Sequence, residues 1–265
     1  MKKQLAIVGL TCLFLSCSRV PITGRHQVNM LPENLLVGMS ITNYQTFLSK
    51  HPAASPTVAD AQLVKTVGQR MATAVSIYMR QQGKSKRIKD YKWEYNLVND
   101  PTVNAWCMPG GKVVVYSGIM PLTKGEAGLA VVMGHEIAHA IARHGNERMS
   151  QMLLVNIGAV GLAVAMVDKP QETNDIYNAA YGVGSTLGIL AYSRMHESEA
   201  DKLGLVFMAM AGYNPEEAVG FWQRMAQKGG PKPPEWLSTH PSDETRIKAI
   251  QQFLPTAKKY YKPRV

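Results

Sequence analysis

In a chain of 265 residues, apolar side chains return at helical spacing through Leu63, Val67, Met71, Ala74 and Tyr78, which predicts a long helix. Ser55-Pro56 ahead of it reads as an N-cap followed by a proline at the first helical position. The polar run from Gln81 to Lys89 ends it. The period then changes: Trp93, Tyr95 and Leu97 alternate with Lys92, Glu94 and Asn96, the pattern of a half-buried strand. Asn99-Asp100-Pro101 turns the chain. The segments 104–108 and 112–116 flank Pro109-Gly110-Gly111, predicting a small antiparallel sheet.

Helical spacing resumes at Thr123-Lys-Gly-Glu126, which fits a capping box with the hydroxyl at N-cap and the carboxylate at N3. This helix runs through Leu129, Val132, Met133 and Ile137 to about His144, with Gly145 placed to close it. Residues 152–167 are apolar but short for a membrane span. A buried hairpin, a shallow membrane contact and a transmembrane helix all stay open there. Residues 179–192 are apolar and glycine-rich. A further helix spans about Ser193 to Ala211, and Asn214-Pro-Glu-Glu217 caps the next one, which carries Phe221 and Trp222. Residues 228–234 must be a loop, leading through Ser238-Thr-His-Pro-Ser242 into a last helix ending at Leu254.

Composition narrows the class. An apolar fraction of 46% with 18% charged residues excludes disorder and coiled coil. The net charge of +10 is scattered, without an aromatic-interleaved basic stripe, so a nucleic-acid partner is not expected. Lys2 and Lys3 precede an apolar run from Leu5 to Leu15, the anatomy of a signal peptide over residues 1–16. Leu13-Phe14-Leu15-Ser16-Cys17 resembles the lipobox of bacterial lipoproteins, whose signal is cut before a cysteine that is then lipidated. Cysteine usage agrees: with Cys12 in the signal and Cys17 lipidated, Cys107 is left without a partner and serves packing. The organisation predicted is a tether and lead over 17–50, irregular from Ser18 to Arg25, one domain over 51–254 and a basic tail over 255–265.

The candidate chemistry centres on His135-Glu136-Ile137-Ala138-His139. Positions i and i+4 of a helix lie about 40° apart, so both imidazoles can reach one ion. Glu136 sits about 100° round, displaced from the ligand face yet able to take a proton from a water at that ion. Such a pattern arises by chance in about 0.008 chains of this composition. A catalytic zinc takes a third protein ligand and keeps an open position. His144 is about 140° round from His139 on a continuous helix and faces elsewhere. Glu197 and Asp201 share a helix face, so Glu197 can ligate zinc while Asp201 accepts a hydrogen bond from a ligand histidine. His196 is a rival ligand, and Glu199 points away into solvent.

Together HEIAH, SRMHESEAD and STHPSDETRI, with NAWCMPGGKVVVYSG upstream and Pro21-Ile22-Thr23-Gly24-Arg25 in the lead, resemble the HtpX-like and CAAX-prenyl-protease-like gluzincin metallopeptidases. The likeness is greatest to their small periplasmic lipoprotein members. It implies a zincin-like, mainly helical α+β fold with a small antiparallel sheet beside the active-site helix. It also implies one zinc ion on His135, His139 and Glu197, Glu136 as general base, and Asp201 behind the ligands. The implied activity is proteolysis in envelope quality control, on unfolded or misfolded envelope proteins. With Cys17 as anchor, the place is the periplasmic face of a bacterial membrane, the outer one favoured by Ser18.

In zinc peptidases an edge strand over the cleft pairs with extended substrate; Asn104, Ala105 and Trp106 are the candidates here. An envelope chaperone with an idle or structural metal is the competing reading. His240 follows the Gly/Pro-rich loop, on a segment able to move, and has three open roles: an oxyanion donor, a fourth ligand of a resting enzyme, or a loop histidine that merely caps the last helix.

Overall fold

The computed structural model describes residues 17–156, 171, 194–228, 240 and 244–263. The segment read as a signal peptide, the apolar stretches beyond residue 156 and over 179–192, and residues 229–234, expected to form a loop, lie outside them. The lead is not an irregular tether. Strand β1 (Cys17–Arg19) pairs antiparallel with β2 (His26–Val28), and Val20 between them is fully buried. From the turn of this hairpin Arg25 ion-pairs with the buried carboxylates of Glu147 and Glu199, which gives a short polar segment a fixed place.

Helices α1 (Glu33–Lys50) and α2 (Ala59–Gln81) follow. Val67, Met71, Ala74 and Tyr78 face the core as their spacing requires. Ser55-Pro56 does not cap α2. Val58 holds the N-cap position, and the Ser55 and Thr57 hydroxyls share a 2.8 Å hydrogen bond in the turn before it.

Strands β3 (Glu94–Val98), β4 (Ala105–Met108) and β5 (Lys112–Tyr116) form one sheet with β5 in the middle. β4 pairs antiparallel with β5, Ala105 opposite Val115 and Met108 opposite Lys112. Gly110 at φ +82° follows Pro109 in their turn, with Gly111 N–H donating to the Met108 carbonyl at 3.2 Å, as a type II turn requires. β3, however, runs parallel to β5, so the sheet is mixed rather than antiparallel. Alternation of apolar side chains reports burial on one face and carries no strand direction. β5 is buried on both faces: Val114 and Tyr116 pack with Leu36, Tyr44 and Phe47 of α1, and Val113 and Val115 face the main core.

The short helix α3 (Met120–Thr123) precedes α4 (Glu126–Ala142). The expected capping box is absent, because the Thr123 hydroxyl donates to the Met120 carbonyl at 2.8 Å and Gly125, at φ +119°, is the N-cap. α4 is buried continuously from Gly128 to Ala142. It ends two residues earlier than predicted, since Arg143 takes a left-handed conformation at φ 62° with its side chain ion-paired to Glu33. α5 (His144–Asn156) then starts in a new direction.

Helices α6 (Arg194–Met210), α7 (Glu217–Lys228) and α8 (Glu244–Lys258) complete the described chain. α8 continues past Leu254, with Ala257 buried, so the basic tail begins as packed helix. α6 crosses α4 at Gly134 and Gly204. A Cβ on Gly204 would stand 2.9 Å from the Gly134 carbonyl carbon and 3.0 Å from His135 N. The two backbones therefore touch beside His135. No helix among the described residues is long and apolar enough to cross a membrane.

Candidate metal centre

The α4–α6 crossing sets the site. α4 contributes His135, Glu136 and His139, α6 contributes Glu197 and Asp201, and His240 comes from the segment before α8; all are buried. One donor atom each from His135, His139, Glu197 and His240 falls within 4.8 Å of the others. His135 Nε2 is 3.0 Å from His139 Nε2 and 3.1 Å from His240 Nδ1. Glu197 Oε1 is 2.9 Å from His240 Nδ1 and 3.3 Å from His139 Nε2. Glu136 stands outside the cluster, its Oε1 3.6 Å from His240 Nε2.

The donor set fits a zinc ion. Asp201 Oδ1 lies 2.9 Å from His135 Nδ1, so the Nδ1 proton points at the carboxylate and the Nε2 lone pair points into the cluster. His139 Nε2 meets it there, and two ring nitrogens at this separation need a positive centre between them, a proton or a metal ion. Burial works against charge on His135, but Glu197 and Asp201 outweigh it and bring this group up to about 9. The pocket calls for positive charge. Burial holds His139 far below its ordinary value, keeping it a neutral nitrogen donor. Burial also opposes charge on Glu197, yet His240 and Arg246 keep its carboxyl well below the usual range. Imidazole nitrogens with one carboxylate are a zinc donor set.

The remaining assignments divide. Asp201 sits behind His135 as the helical spacing predicts. Its replacement by alanine should weaken metal binding about 10–100-fold; a competition titration with a zinc chelator checks this, and an unchanged affinity would reduce Asp201 to a structural charge. His196 is not in the cluster: its Nε2 faces Glu147 Oε2 at 3.1 Å, and its ring stacks on His144. His144 does not face elsewhere. The turn at Arg143 brings its Nδ1 to 2.9 Å from His139 Nδ1. Glu199 is buried rather than solvated, 3.1 Å from His144 Nε2 and bonded to Arg25 and Thr23.

Arg246 of α8 is a site residue that the sequence did not single out, although it lies within the STHPSDETRI segment. Its Nε and Nη2 donate to the two oxygens of Asp201 at 2.8 and 2.7 Å. Its Nη1 is 2.9 Å from Glu197 Oε2, and its guanidinium lies 3.4 Å from the centre of the Trp222 ring.

β4 is an edge strand next to α4. Tyr116 N–H donates to the Asn104 carbonyl, which with the register directs the backbone polar groups of Ala105 and Cys107 away from β5. The Asn104 side chain accepts from the Ala105 N–H at 2.8 Å. The Trp106 side chain belongs to the other face, edge-on to Phe47. Burial pushes the Cys107 thiol well up, and the charge of Glu136 adds to this.

Residues 60–254 match peptidase family M48. The mitochondrial metalloendopeptidase OMA1 of Schizosaccharomyces pombe is 41% identical over 173 residues, 64% of this chain and 49% of that protein. The human metalloendopeptidase OMA1 is 29% identical over 248 residues, 90% of this chain and 46% of that one. The beta-barrel assembly-enhancing protease of Escherichia coli K12 is 25% identical over 219 residues, 80% of this chain and 43% of its own length. The chain thus spans about half the length of the curated relatives it matches. These relatives differ from the small periplasmic lipoproteins to which the motifs are likened, and share the family. With the helix-borne histidine pair, the glutamate of a second helix and a match over residues 60–254, the chain belongs to peptidase family M48.

Proposed function

We propose that this chain is a zinc-dependent endopeptidase acting on unfolded or misassembled proteins of a bacterial envelope. The observation that carries the reading is the convergence of His135, His139 and Glu197 with Glu136 beside them and outside the donor cluster. Zinc, when bound by those three residues, supplies a Lewis acid that polarises a water and the scissile carbonyl. Glu136 takes the proton of the attacking water and passes it to the leaving amine. Asp201 holds His135 in the orientation that turns Nε2 toward the metal. The outward edge of β4 is read as the place where an extended chain would pair through its backbone, displacing the Asn104 side chain from the Ala105 N–H, which suits substrates that are unfolded and gives little sequence preference. Digestion of casein, with chelator and with zinc restored, tests the activity. Casein left uncut by both the wild type and His240→Ala with zinc bound would overturn it in favour of the envelope chaperone.

His240 is read as a fourth ligand in a resting enzyme. The approach of its Nδ1 to Glu197 and His135 supports this over a histidine that only precedes a helix. A fourth donor occupies the position that the attacking water needs. His240→Ala should therefore raise the initial rate of casein cleavage. A fall of about 10²-fold would assign it instead as an oxyanion donor.

The anchor is proposed at Cys17, which holds the enzyme to a membrane on its periplasmic face. A fatty-acid analogue should label the wild-type protein in cells and leave Cys17→Ser unlabelled and released from membranes. Equal labelling of the two would contradict the anchor.

A further inference from the structure

We propose that Arg25 is a positioning residue for His139, acting through Glu199 and His144, so that the N-terminal hairpin is a working part of the metal centre. This rests on the reading of His139 as a metal ligand. Arg25 Nε and Nη2 donate to Glu199 Oε1 and Oε2, both at 2.9 Å, and the Thr23 hydroxyl donates to Oε1 at 2.7 Å. The Arg25 fork also engages Glu147, at 2.7 Å to each oxygen. Glu199 is thereby fixed in plane and orientation. His144 bridges from it, with Nε2 at 3.1 Å from Glu199 Oε2 and Nδ1 at 2.9 Å from His139 Nδ1.

The proton positions follow in order. A carboxylate held by a guanidinium accepts and does not donate, so the hydrogen of His144 sits on Nε2. Its Nδ1 is then a lone pair and accepts from His139 Nδ1–H. That leaves His139 Nε2 without a proton of its own, facing His135 and Glu197, the tautomer a metal requires. Asp201 does this for His135 in one step; the second histidine needs three residues, and the last of them comes from the opposite end of the chain. Removing Arg25 takes away two donors that orient Glu199 and lets the His144 ring turn or exchange tautomer. The hairpin that carries Arg25 begins at Cys17, so the segment leading to the proposed anchor is tied to the ligand shell.

Cobalt(II) binding to the full chain tests this, because its visible spectrum reports ligand geometry without needing turnover. Arg25→Ala and Glu199→Gln should each weaken cobalt binding about 10-fold or more and alter the spectrum. The double variant should bind no more weakly than Glu199→Gln alone, since the two act in series. Ser150→Ala loosens the same lead elsewhere, where the Ser150 hydroxyl accepts from Met30 N–H. It should lower the melting temperature and leave the spectrum unmoved. If Arg25→Ala does not fold, Glu199→Gln carries the test, because it keeps the Arg25–Glu147 pair. A wild-type spectrum and affinity in Arg25→Ala, or in Glu199→Gln where that variant stands in, would overturn the proposal. So would a change in Ser150→Ala equal to that in Arg25→Ala. Wild-type protein that binds no cobalt would overturn the metal reading itself, and this proposal with it.

Discussion

Glu136→Gln should keep its metal and lose the proposed proteolysis, the rate falling by about 10²–10⁴-fold, the range a general base supplies. Glutamine preserves the volume and the buried packing of a side chain that is 4% exposed. What it lacks is a site to receive a proton at neutral pH. Glu136 is not among the four converging donors, so its replacement removes none of them. Metal analysis beside a casein assay separates the outcomes. Loss of zinc from the variant would make Glu136 part of the ligand shell, and retained cleavage would remove it from the reaction.

Arg246→Ala should destabilise the fold by about 3–5 kcal/mol, the usual cost of removing one partner from a buried ionic cluster. Arg246 faces both Asp201 and Glu197, and all three are nearly excluded from solvent. Burial opposes the charge on Asp201, and the Arg246 charge is the leading influence holding its carboxyl below the ordinary range. Without the guanidinium, two carboxylates stay buried with less than their compensating charge, and Trp222 loses the cation above its ring. Arg246→Lys restores a charge but not the fork that meets both Asp201 oxygens, so it should recover part of the loss. Urea denaturation of the metal-free protein reads the effect directly. A change under about 1 kcal/mol, the scale of an exposed pair, would show that water already serves these carboxylates.

The histidine pair, Glu136, Glu197 and Asp201 were legible because their relation is local. Residues four apart on one helix share a face whatever the rest of the chain does. Burial of the α2 stripe, the β4–β5 hairpin with its Pro-Gly turn, and the closing of α6 before Gly212 at φ +83° follow from equally short-range rules. Helix starts were less legible. Ser55 and Thr123 are good caps by residue type, yet each hydroxyl found a nearer partner in its own turn.

What the sequence determined by itself, then, is the set of groups whose geometry is carried inside a single helix or hairpin: two imidazoles, the glutamate adjacent to one of them, and a carboxylate pair on a second helix. Tertiary structure decided which of these meet and what stands behind them. The Gly134–Gly204 contact draws α4 and α6 close enough for Glu197 to reach the histidines. A single left-handed residue, Arg143, redirects the chain so that His144 returns to His139, where a continuous helix would have pointed it away. Glu199, Arg25 and Arg246 are charged residues whose type suggests solvent. Glu199 and Arg246 are buried, and Arg25 is half-buried, because opposite charges from distant parts of the chain meet them there, across separations of 174 residues for Arg25 and Glu199 and 45 for Arg246 and Asp201. No periodicity encodes such pairings, since a charge specifies the sign of its partner and the folded packing alone specifies which partner comes within reach.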